Sequence, residues 1–381
     1  MSHLLKLREK LSFRRRALLL TLLVIIVLGG VTGVVYRDRI GPLTRLFHAG
    51  DTSTADGFAH KVQANDLFIG IGNRLLICSS SGFQLLSPTG KEFLSETVSM
   101  ADPAVADNGA KVVVYDAGGR ELRVLDATRL AFSLTLPVGQ TILSATINNS
   151  GWLAVTSKVD GYKGVVTVYD SSFEPVVAIR LSSRYLSDAM VTPDCKSVFA
   201  VSPEENNGTF ESTVQVYNLS NCDEPSSEVS LGDNVVLGIR ATENLGWILG
   251  DTGLSILRAS GTASGQYDYN GNYLKRASLN GSGFAALLLS NSQAGSSGTL
   301  MTVANDGTLL GKVDLSEPVL ALTANGHYVA VLTSSHLYLY DKSLSQRAVS
   351  DNSLGVRNIA LYADGSLGLI TDELVIPFVP N

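Results

Sequence analysis

A unit of about forty residues recurs through most of this 381-residue chain, and each copy reads as four short strands rather than as helix. The second strand of the unit is the easiest to follow. It reads RLLICSS (74–80), AKVVVYD (110–116), GWLAVTSK (151–158), KSVFAVSP (196–203), LGWILGD (245–251), GFAALLLSN (283–291), HYVAVLTS (327–334) and SLGLITD (366–372). A turn signal precedes each, such as DNG (107–109), ANG (324–326) and ADG (363–365). Asn, Asp and Gly tolerate the positive φ that short hairpins require. The third strand ends at residues 87, 126, 170, 218, 258, 305, 341 and 378, at intervals of 36 to 48 residues. That spacing is the period of a propeller blade.

A more polar fourth strand follows seven of the third strands, among them KEFLSETV (91–98) and KVDLS (312–316). The sequence runs only three residues past position 378, so GFAHKVQA (57–64) is expected to supply the missing outer strand and join the two ends of the ring. Small residues recur in the leading strand of the units, as at Ala106, Ala145, Ala189, Ala241 and Ala360, and suit a crowded central channel. The expected fold is all-β: an eight-bladed β-propeller over 58–381, or seven blades if a terminal unit is incomplete. A β-sandwich is the rival, but equal four-strand units are hard to divide between two sheets.

The first fifty residues differ from the rest. They carry nine Lys or Arg against Glu9 and Asp38, whereas the remainder has a net charge of −13. Such an acidic body lacks the cations that nucleic acid binding needs, and aromatic residues at 7% make no base-stacking platform. Residues 17–35, ALLLTLLVIIVLGGVTGVV, contain no charge and as a helix would span ~28 Å, close to a bilayer's hydrocarbon core. Six basic residues precede this run and Arg37, Arg39 and Arg45 follow it, which favours a cytoplasmic N-terminus. The expected order is a basic tail (1–16), an uncleaved signal anchor (17–36) and a juxtamembrane stem (37–57). A cleaved signal peptide is the alternative, but the run is long for one.

Leu125-Asp126, Tyr169-Asp170 and Tyr340-Asp341 end their third strands where the Trp-Asp of a WD repeat would stand, and the repeat resembles the WD40 and quinoprotein-like propeller superfamilies. Taken with the anchor, the chain resembles an uncharacterised family of bacterial single-span membrane proteins with an extracytoplasmic propeller. That resemblance implies a cell-membrane location and no particular activity.

Chemistry-bearing motifs are sparse. The five histidines, His3, His48, His60, His327 and His336, fall at no metal-ligand spacing, and His327 and His336 read as hairpin surface residues. There is no G-x-S-x-G elbow and no P-loop, and neither cofactor nor metal is expected. Of the three cysteines, Cys78 reads as a buried small hydrophobe, while Cys195 and Cys222 share one blade and leave a disulfide open. In a propeller, the loops from second to third strand and from one blade to the next share a face, and the long insertions 159–164, 203–212 and 290–298 fall there. Candidate binding residues on that face are Tyr162, Arg184, Asp188, Phe210, Arg240, Tyr267, Tyr269, Tyr273, Lys275, Arg276 and Arg357, rich in the Tyr and Arg that anchor partners. The expected function is a non-catalytic scaffold binding a protein or an envelope polymer. The alternatives are a carbohydrate-active or other channel enzyme, with Asp102 or Asp188 as acid or base, and a ligand sensor, disfavoured by the short tail.

Overall fold

The computed structural model describes residues 57–60, 63, 66–206, 208–351 and 353–380, and every regular element among them is a strand. Among these residues no helix is long and apolar enough to cross a membrane; the expected anchor at 17–36 lies outside them. The strands form eight four-stranded antiparallel sheets. Seven are built from consecutive strands, and the last joins 356–378 to Phe58–Ala59, which pairs Phe58 with Val375 and Ala59 with Leu374. The architecture is the eight-bladed propeller.

Each inner strand leads its blade: Leu67–Ile71, Pro103–Asp107, Thr141–Ile147, Asp188–Val191, Val236–Thr242, Tyr273–Gly281, Val319–Asn325 and Val356–Leu361 for blades 1 to 8. The apolar second and third strands are buried on both sides because they lie between neighbouring blades. The core is therefore divided into eight clusters, each joining one blade to the next. Ala154, Val166 and Leu181 of blade 3 meet Ala189, Val198 and Ala200 of blade 4, for example. The closing cluster sets Phe68, Leu75 and Ile77 of blade 1 against Ala360, Ile370 and Val375 of blade 8. Phe58 packs there too, so tightly over Gly90 that a Cβ on that glycine would lie 2.4 Å from the ring.

The Asp that ends several third strands is explained by the next turn. Asp126 Oδ1 accepts from the amides of Thr128 and Arg129, Asp170 Oδ1 from Ser172 and Glu174, and Asp341 Oδ1 from Ser343 and Ser345. Partial burial works against ionisation of Asp126, yet these amides and the Thr128 and Arg129 side chains hold its carboxyl below the usual range. In five blades the turn from third to fourth strand carries a left-handed residue, Gly in three and Phe173 (φ 65°) and Leu344 (φ 58°) in the other two. In both, the side chain packs: Phe173 stacks on Phe132 at 4.9 Å and Leu344 is buried.

Polar side chains of the inner strands tie blade to blade. Thr146 donates to Ala189 O, Asn148 to Thr192 O, Asn325 to Leu361 O, and Ala324 N–H donates to Ser278 Oγ. The insertion expected as a loop at 203–212 is instead a long hairpin, Ser197–Asn206 pairing with Thr209–Asn218 through to the tip. Thr209, Phe210 and Thr213 favour a strand, and Gly208 (φ 83°) supplies the turn.

Candidate functional site

Strand direction sorts the connections into two faces. The loops from outer strand to next inner strand and from second to third strand share what we term the upper face; the other connections form the lower face. The channel between them is bordered by the inner strands.

At its lower end the channel is crossed by side chains. Asp107 is the last residue of its inner strand and is buried. Arg240 of blade 5 grips it with both terminal nitrogens, Nη2 to Oδ1 at 3.0 Å and Nη1 to Oδ2 at 3.2 Å. Asn280 of blade 6, diametrically opposite blade 2, donates to Oδ2 at 3.3 Å, and Gly109 N–H to Oδ1 at 2.9 Å. Burial alone would raise the Asp107 pKa, but the guanidinium and these donors outweigh it and hold the carboxyl below its ordinary value. Arg240, expected on the binding face, is thus half of an internal ion pair.

Nearer the upper end stands a different aspartate. Asp188, the first residue of its inner strand, is half-buried. Its Oδ1 accepts from Ser144 Oγ at 2.6 Å and from Ala189 N–H at 2.9 Å. Burial pushes its pKa up to about 6 in spite of both donors. The Tyr115 hydroxyl feels both Asp188 and Asp102, and burial together with these charges raises it to about 12. Asp102 itself is exposed, and its backbone N–H donates to Asp116 Oδ1 at 2.8 Å.

The other expected residues divide. Tyr162, Phe210 and Tyr273 are exposed on the upper face. Arg184 pairs with Glu204 at 2.9 Å and Glu228 at 3.4 Å, and Arg357 with Asp372 at 3.2 Å. Lys275 donates to Gln293 O and Arg276 to Val319 O. Tyr267 lies on an outer strand with its hydroxyl on Met301 Sδ. Tyr269 corrects the expectation outright: it is 1% exposed, packed between blades 5 and 6, two residues on from Tyr267 and on the same cluster. Cys195 and Cys222 are free thiols packed on the same core cluster. The Cys222 thiol is turned to Asn218 O at 3.0 Å and Cys195 Sγ accepts from Asn148 at 3.3 Å, so no disulfide joins them. Among the described residues no group of three His, Cys, Asp or Glu could hold a metal ion.

Sequence reasoning missed the apolar part of this face. The inner strands of blades 3, 5, 6, 7 and 8 each carry a register shift near their upper end, which leaves Leu143, Leu237, Lys275, Leu320 and Arg357 without a partner on the second strand. Bulges of this kind re-aim a side chain. Leu237 is 58% exposed, and the neighbouring blade-to-blade loops add Val138 at 88% and Leu354 at 93%. His336, read as a plain surface residue, also sits here, with Nδ1 2.8 Å from Glu317 Oε1.

Among solved structures, the C-terminal WD40 domain of Sif2 is similar with a TM-score of 0.55 and 15% identity, over 85% of this chain and 99% of that one. A eukaryotic initiation factor is similar with a TM-score of 0.51 and 11% identity, over 86% and 89%. BamB from Moraxella catarrhalis shares 11% identity over 84% and 100%, with a TM-score of 0.48. The first two likenesses agree with the propeller fold. No curated protein matches the sequence. The profile of DUF5711 matches residues 52–372, most of the chain, and the protein belongs to this family of unknown function.

Proposed function

We propose that this protein is a non-catalytic scaffold, tethered to a membrane by residues 17–36, whose extracytoplasmic propeller binds a protein of the cell envelope through its upper face. The observation that carries the reading is the gathering of exposed large apolar side chains on that face, Val138, Leu143, Phe210, Leu237, Leu320 and Leu354 among them. Monomeric soluble surfaces seldom concentrate such groups without a partner to cover them. The uncharged run at 17–35 and its basic flank support the tether and its direction.

Cross-linking in intact membranes tests this. A partner captured by the parent protein and lost from Leu237→Asp/Leu354→Asp supports the reading; capture unaffected by those changes, or turnover of a substrate in the channel, overturns it. A second reading, hydrolysis of an envelope polysaccharide, is favoured by Asp188 alone, whose raised pKa suits a general acid. Release of reducing ends that is lost in Asp188→Asn would select it.

A further inference from the structure

We infer that the upper channel is a socket for one cationic side chain: a lysine or arginine of the bound protein, flanked by aliphatic residues, ion-pairs with Asp188 while its neighbours cover the leucine rim. The inference rests on the protein-binding reading above and names what that face selects.

Four observations lead to it. First, the chain shows how it neutralises an aspartate of this channel when it does so internally: Asp107 receives a bidentate guanidinium, an amide side chain and a backbone N–H. Asp188 receives a hydroxyl and one backbone N–H, both on the same oxygen, and no cation from any described residue. Second, four cations of the upper face are engaged elsewhere. Arg184 is held by Glu204 and Glu228, Arg357 by Asp372, Lys275 by Gln293 O and Arg276 by Val319 O. Third, Asp102 adds negative charge on the same side, felt with Asp188 at the Tyr115 hydroxyl, so an anion would be repelled. Fourth, three of the five bulged positions on this face are aliphatic, the other two being the engaged Lys275 and Arg357. Leu143 is the bulged residue next to Ser144, and Leu237 and Leu320 are its counterparts on blades 5 and 7. A half-buried carboxylate on a face that also exposes leucines matches a long basic side chain, whose methylenes cover apolar surface while the charge reaches the acid.

The probe is a displayed library of randomised nine-residue peptides, panned at pH 7.5 against the folded propeller. The expected result is enrichment of Lys or Arg at one position with aliphatic neighbours. An enriched peptide should lose about tenfold in affinity when that residue becomes Gln, and equally on Asp188→Asn, a change of nearly the same shape that removes the charge and leaves the protein folded. Ser144→Ala, which keeps the charge, should retain the preference for a cation. Affinity should also fall as the pH drops below about 6, where Asp188 takes up its proton. Acidic or neutral consensus peptides, a cation preference that survives Asp188→Asn, or no enrichment would overturn the socket. Failure of the socket is separable from failure of the scaffold reading. Loss of the cross-linked partner from Leu237→Asp/Leu354→Asp, but not from Asp188→Asn, removes the socket and leaves the binding face standing.

Discussion

Asp107 and Asp188 stand on inner strands of one channel, and the chain treats them in opposite ways. Asp107 is sealed against Arg240 and Asn280, residues brought from blades across the axis. Asp188 has Ser144 and its neighbour's amide, and part of its surface stays open. The first arrangement spends a buried cation to make a buried anion tolerable. The second leaves the cost of burial showing as a raised pKa. A carboxylate left without a cation and open to the channel marks where structure gives way to recognition.

The largest test of this contrast is Arg240→Ala. It strands a buried carboxylate and should cost about 3–5 kcal/mol in urea unfolding, whereas Arg240→Met with Asp107→Leu should come back near the parent. A mild effect of the single change would mean that the lower end is wetter than its contacts imply. Next comes Asp188→Asn, with the opposite sign. Asp188 holds its proton more tightly in the folded state, so stability contributed at this site falls as the pH rises from the ordinary 3.8 through about 6. The variant should gain at most about 3 kcal/mol at pH 8 and nothing below pH 4, read from urea midpoints at both pH values. Asp107 runs the other way: its contribution is present above the ordinary carboxylate pKa and is lost as pH falls through its lower folded value. Ser144→Ala removes a donor 2.6 Å from Asp188, should cost about 1.5–3 kcal/mol at pH 8, and should raise the Asp188 pKa further in an NMR titration. The smallest effect is expected from Leu237→Asp and Leu354→Asp, within about 0.5 kcal/mol each, since both residues are exposed. A large loss there would make the rim part of the fold rather than a surface for partners.

Much of the blade was legible in the sequence because its determinants are local. The Asp of Tyr169-Asp170 or Tyr340-Asp341 recurs because it caps the turn that immediately follows, and a capped turn leaves its mark within five residues. Closure by the segment near residue 58 followed from one missing outer strand. The channel was not legible. Arg240 and Asp107 lie 133 positions apart, and no periodicity says which polar side chain of an inner strand will cross the axis. Tyr269 misled for a related reason: the composition of its stretch marks an aromatic turn, but only the register tells which ring faces the core. The apolar rim was hidden because each bulge adds a single residue, within the ordinary variation of blade length.

The ring is completed by very little backbone. Phe58 and Ala59 are the only residues of their strand, with His60 N–H adding one bond to Glu373 O. Any load transmitted through the segment ahead of Phe58 would act on those few rungs in sequence, like a seam opened from its end, before reaching the longer strands elsewhere. Mechanical tension would therefore open the circle at blade 8 first, baring the edge of Leu374–Phe378, where Pro377 limits pairing with a stray strand.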